Sequence, residues 1–77
     1  MTVKTIGDAL RRGAAVLRAA GIENPAREAR LLLAHALNRT QADLVRDGTP
    51  EIDVTPFEAL LARRAALEPM AYILGSQ

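Results

Sequence analysis

The side chains able to do covalent or acid–base chemistry are few and scattered. His35 is the only imidazole, there is no cysteine, and Ser76 stands at the far end of the sequence. Nucleophilic catalysis needs a nucleophile, a base and an orienting group held within reach of one another. His35 has no such company and reads as a helix-surface or half-buried residue. A zinc cluster of His and Cys ligands is excluded by the same inventory. Asp43 and Asp47 are spaced to share a helix face, and Glu51 and Asp53 follow in a loop-like stretch. Coordination or proton transfer needs a defined third group, which this run does not supply, so it reads as a solvated acidic edge. The glycines at 7, 13, 21, 48 and 75 are too dispersed to make a phosphate-cradling loop. We assign no catalytic, cofactor-binding or metal-binding residue.

Binding chemistry is better represented. Arg11 and Arg12, Arg27 and Arg30, and Arg63 and Arg64 are candidate partner-binding groups. Guanidinium groups pair with carboxylates or phosphates through fixed, forked donors. Each pair also fits ordinary solvation of a helix face. Formal net charge is +1 and aromatic content is 3%. That is a poor profile for nucleic-acid binding, so no direct nucleic-acid partner is expected. The charge is uneven, with seven basic and three acidic groups in residues 1–39 and one basic and four acidic groups in residues 40–53.

These groups must be carried by helices. Thr5 and Asp8 form an acidic capping box. Ile6, Leu10, Gly13, Val16, Leu17 and Ala20 then recur at helical steps. Gly13 admits two readings, close approach of another helix or a tolerated imperfection. Gly21 is a left-handed terminator, with Ile22 folding back on the last turn. Asn24-Pro25 predicts a second helix, capped by Asn24 and running to about Leu37, with Ala29, Leu32, Leu33, Ala36 and Leu37 buried. Thr40 and Asp43 predict a short third helix to about Asp47, ended by Gly48 and Pro50. Residues 48–54 read as a polar connection, with Ile52 and Val54 able to tuck inward. Thr55-Pro56 and Glu58 predict a further helix capped by Thr55, burying Phe57, Leu60, Leu61, Ala65 and Leu67. Pro69 ends it, and Met70 to Leu74 make a final turn closed by Gly75.

No segment shows strand alternation bounded by hairpin turns. The expectation is an all-α, compact, bundle-like domain of four to five helices. Seventy-seven residues hold one domain at most. No apolar run approaches the ~20 residues of a membrane span, and the first residues do not open a signal peptide. A cytoplasmic monomer without membrane association is expected. Met70 to Leu74 is almost continuously apolar, and Tyr72, Ile73 and Leu74 are candidates for a junction with another domain.

Two stretches carry a family resemblance. Asn24-Pro25-Ala26-Arg27-Glu28-Ala29-Arg30-Leu31-Leu32-Leu33-Ala34-His35 and Phe57 to Gly75 resemble the N-terminal domain of the bacterial peptide chain release factor glutamine methyltransferase family. The most specific part is Arg63-Arg64 followed by Glu68-Pro69 and Ala71-Tyr72-Ile73-Leu74-Gly75. The resemblance implies that residues 1–77 are a helical substrate-recognition domain cut before the methyltransferase domain. It implies a parent enzyme that uses S-adenosyl-L-methionine to methylate the glutamine of the release factor's Gly-Gly-Gln motif. The family's catalytic signature, Asn-Pro-Pro-Tyr, is absent here, and Asn24-Pro25 is a helix start rather than a remnant of it. The fragment is thus expected to be noncatalytic, with the release factor and the missing catalytic domain as partners. The alternative is an independent helical adaptor that binds another protein.

Overall fold

A computed structural model describes residues 3–38 and 51–75. Among them, strand β1 (Val3–Thr5) leads into helix α1 (Ile6–Ala19), followed by α2 (Pro25–Leu37). Strand β2 (Glu51–Asp53) leads into α3 (Thr55–Ala65) and a last short helix, α4 (Met70–Leu74). The expected helix from Thr40 to Asp47, its terminators Gly48 and Pro50, and Ser76 lie outside the described residues.

The all-α class holds, with one addition. β1 and β2 form a short antiparallel ribbon, pairing Val3 with Asp53, Lys4 with Ile52 and Thr5 with Glu51. The expectation of no strands is corrected here. Three-residue strands are too short to show alternation, and these two are far apart in sequence. Their pairing is a tertiary event that ties the starts of α1 and α3 together.

The helix ends follow local chemistry where that chemistry is uncontested. The Asp8 amide donates to Thr5 Oγ1 at 3.1 Å, the predicted cap of α1. At the other end the Gly21 amide donates to the Arg18 carbonyl and the Ile22 amide to the Leu17 carbonyl, both at 3.0 Å. This is the full Schellman pattern with a left-handed residue at its turn, and Gly21 has φ +86°. Pro25 opens α2 as expected, but the Asn24 side chain makes no cap bond; its carbonyl accepts from the Glu28 amide instead.

Two expectations for α3 are corrected. Thr55 does not cap it. The Thr55 amide and hydroxyl both donate to Asp53 Oδ1, at 3.0 and 2.7 Å. With its hydroxyl committed as a donor, Thr55 enters the helix and Val54 becomes the cap residue. Leu67 is not buried but 63% exposed. It takes the left-handed position of a second Schellman turn, with φ 69°; the Leu67 amide donates to the Arg64 carbonyl and the Glu68 amide to the Arg63 carbonyl. The reversal swings its side chain off the helix face. A Cβ in this region costs roughly 1–2 kcal/mol, so Leu67 holds a place that glycine would fill without strain.

The core joins Ile6, Ala9 and Leu17 of α1 to Ile22, to Ala29, Leu32, Leu33 and Ala34 of α2, and to Val54, Phe57, Leu61 and Ile73. Ile52 and Val54 do turn inward, Val54 fully. Ala36 and Leu37 are only partly buried, and Ala34 takes an inner place instead. At the centre is Gly13, and the open choice about it resolves as close approach. A Cβ there would lie 2.7 Å from Phe57 Cζ and 3.1 Å from the Ala29 Cβ. Gly13→Ala gains helix propensity of up to about 1 kcal/mol but drives a methyl into the buried Phe57 ring. Net destabilisation of about 1–2 kcal/mol is expected by urea unfolding. The cost should shrink in a Phe57→Leu background, because the two changes share one contact.

Candidate functional site

The six candidate arginines are distributed by α1, α2 and α3 over different surfaces, and four of them meet carboxylates. Arg11 pairs with Asp8, one turn away on α1 and largely in solvent. Arg12 Nε donates to Glu58 Oε1 at 2.6 Å, spanning α1 and α3. Arg63 reaches Glu68 just past the end of its own helix. Arg64 is the most engaged. Its Nε donates to Glu28 Oε1 at 2.7 Å and its Nη2 to Glu28 Oε2 at 3.4 Å. Its Nη1 also donates to the Glu68 carbonyl at 3.1 Å. Arg64 and Glu28 are only 19% and 18% exposed, so this forked pair is shielded from water and ties α2, α3 and the turn after α3.

Arg27 and Arg30 differ. Among the described residues neither meets a carboxylate within ion-pair distance. Arg27 stands exposed on the first turns of α2 and Arg30 is half-buried one turn further. Arg27 also borders an open groove of about 240 Å³, lined by Asn24, Glu28, Leu31, Met70 and Leu74 as well. A second groove, of about 360 Å³, lies between α1 and α3, lined by Arg12, Val16, Glu58, Leu61 and Ala62. The junction candidates separate too. Ile73 is 1% exposed and belongs to the core, Leu74 packs against it, and Tyr72 is 70% exposed. His35 lies exposed on α2.

Spacing carried no signal for the acidic partners. Glu28 and Glu58 meet arginines 36 and 46 residues away. Leu67 was also missed as a surface residue; the proline two positions later is the one local hint that the helix must already have turned.

Asp53 is the carboxylate that Thr55 holds. The Thr55 amide, and then the Thr55 hydroxyl, hold its pKa below the usual value, against a small opposing effect of desolvation. The charged form is favoured in the folded state. The stabilisation is therefore complete above about pH 4, the unfolded value, and is lost as pH falls through the lowered folded value.

The surface offers no nucleoside cradle among the described residues. Gly13 is filled by Phe57 and Gly21 ends a helix. The carboxylates bordering the two grooves, Glu28 and Glu58, are already held by Arg64 and Arg12. The described residues do not fit S-adenosyl-L-methionine.

Fold and surface thus define a small helical domain whose charged side chains tie helices together or face outward. The chain belongs to the PrmC N-terminal domain family, whose profile matches residues 8–75. It is 45% identical over 73 residues to a release factor glutamine methyltransferase of Cereibacter sphaeroides, covering 91% of this chain and 26% of that protein. It is also 45% identical over 74 residues to the release factor glutamine methyltransferase of Rhodospirillum rubrum, covering 91% and 22%. A bifunctional methyltransferase of Rickettsia bellii is 41% identical over 71 residues, covering 88% and 13%. The chain therefore spans a quarter or less of two of these relatives, and 26% of the other. No solved structure matches it.

Two outcomes follow from this geometry. Arg64→Ala leaves the shielded Glu28 without its partner and should cost about 2 kcal/mol, whereas Arg11→Ala, in solvent, should stay within about 0.5 kcal/mol; chemical denaturation of both checks this. Asp53→Asn should flatten the acid limb of a stability–pH curve below about pH 4 while leaving its shape at neutral pH unchanged, as read from thermal midpoints across pH.

Proposed function

We propose that residues 1–77 are the noncatalytic protein-recognition domain of a release factor glutamine methyltransferase. In this reading a methyltransferase domain follows in the same polypeptide and supplies the S-adenosyl-L-methionine site. The helical domain holds the release factor while the glutamine of its Gly-Gly-Gln motif is methylated. The observation that carries the reading is the match of residues 8–75 to the N-terminal domain of proteins named for that activity. The geometry supports it from the side of chemistry. The described surface presents binding groups, with Arg27 exposed beside a half-apolar groove, while the carboxylates that border its grooves are neutralised by internal pairs.

A domain of this kind acts through binding energy remote from the reacting atoms. It adds affinity for the intact protein substrate and orients the glutamine, which lowers the barrier to transfer. It works as a monomer in the cytoplasm, where its substrate is translated and used.

The test compares full-length enzyme with enzyme lacking residues 1–77, on intact release factor and on a short peptide containing Gly-Gly-Gln. Removal should weaken kcat/KM on the intact factor by about tenfold or more and change the peptide reaction far less. Equal loss on both substrates, or unchanged affinity and methylation of the intact factor, overturns the recognition role.

A further inference from the structure

The turn between α3 and α4 holds apolar side chains in water. Three large hydrophobic residues are exposed among those described, Val3, Leu67 and Tyr72, and two of them lie within this one turn and the short helix after it. Their exposure is built in. Leu67 occupies a left-handed position, φ 69°, where glycine is the usual residue. The turn around it is pinned by the Leu67 and Glu68 amides, by Arg64 Nη1 on the Glu68 carbonyl and by Arg63 on the Glu68 carboxylate. Tyr72 is likewise fixed, because its neighbour Ile73 is buried at 1% exposure and anchors α4. Backbone strain retained at an exposed apolar residue is a mark of use.

We propose that Leu67 and Tyr72 are the seat on which the following domain of the same polypeptide docks. This rests on the reading that a methyltransferase domain follows. Three arguments select that occupant over others. The matched relatives carry about three quarters or more of their length outside the region this chain covers, and the residues concerned lie within ten positions of Gly75. A tethered neighbour acts at high effective concentration, so two exposed anchors suffice. The seat is also apolar and internally neutralised, since Glu68 is paired with Arg63. Permanent interfaces are the more apolar kind, whereas a transient substrate is better met by the polar face around Arg27.

The experiment uses the full-length protein carrying Leu67→Asn, Tyr72→Ser and both together. Asparagine tolerates the left-handed region, so the turn is kept and only the apolar side chain is lost; circular dichroism monitors the helical domain. Limited proteolysis of the connection after Gly75 should accelerate about tenfold or more in the double variant, the loss expected for two buried anchors. An unchanged cleavage rate overturns the proposal. So does unchanged cleavage with weakened release-factor affinity, which assigns the seat to the substrate, or conversion of a dimer to monomer, which assigns it to a second copy. Methylation by the unaltered full-length protein is measured alongside. Its absence strikes the proposed function, whereas methylation with unchanged cleavage strikes the docking seat alone.

Discussion

The contact between Gly13 and the Phe57 ring sets the spacing of the helices. With no side chain at Gly13, α1 approaches α3 until the aromatic edge occupies the space of a Cβ, and Ala29 brings α2 to the same point. A domain of this size buries a modest share of its surface, so three helices meeting where Gly13 and Ala29 make room for one ring is an efficient use of few contacts. The ion pairs are consequences of that approach. Arg12 precedes Gly13 and Glu58 follows Phe57, and the two charged neighbours meet because the two packed residues do. Glu28 precedes Ala29 in the same way and meets Arg64, two turns beyond Phe57 on α3.

This hierarchy decides what each arginine can do. Arg64 is desolvated and forked onto one carboxylate, a geometry that fixes the relative position of two helices and leaves little of the guanidinium for another molecule. Arg11 and Arg12 keep much of their exposure, so solvent screens their pairs. Arg27 stands at the open end of α2, where the helix dipole does not compensate its charge and a carboxylate-bearing partner would. Six residues that look equivalent in sequence thus have three different environments.

The local half of the structure was legible and the non-local half was not. Thr5 and Asp8, Gly21 with Ile22, and Pro25 each act within one turn, so residue type and spacing were enough to place those helix boundaries. The β1–β2 ribbon and the Glu28 and Glu58 pairings depend on segments brought together by folding. No short window of sequence encodes them. Thr55 shows the competition directly. Its hydroxyl suits a cap, but a better acceptor two residues upstream takes it. The recognition set drawn from arginines was legible only as a list. Family kinship was legible because Glu68-Pro69 and Ala71 to Gly75 combine a forced turn, a buried anchor and a terminator in one short run.

That same run explains why an apolar surface can be both strained and stable. Schellman turns usually spend a glycine at the left-handed position, which gives up a side chain to relieve the backbone. Here Leu67 keeps its side chain, and the turn survives because Arg64 and Arg63 hold Glu68 from two directions. The arginine pair, the proline and the tyrosine are then parts of one device. The arginines lock the reversal, Pro69 prevents the helix from continuing through it, and Ile73 pins the short helix that follows. What remains facing outward is Leu67 and Tyr72. The logic of such a device is positional: it fixes the direction in which α4 follows α3.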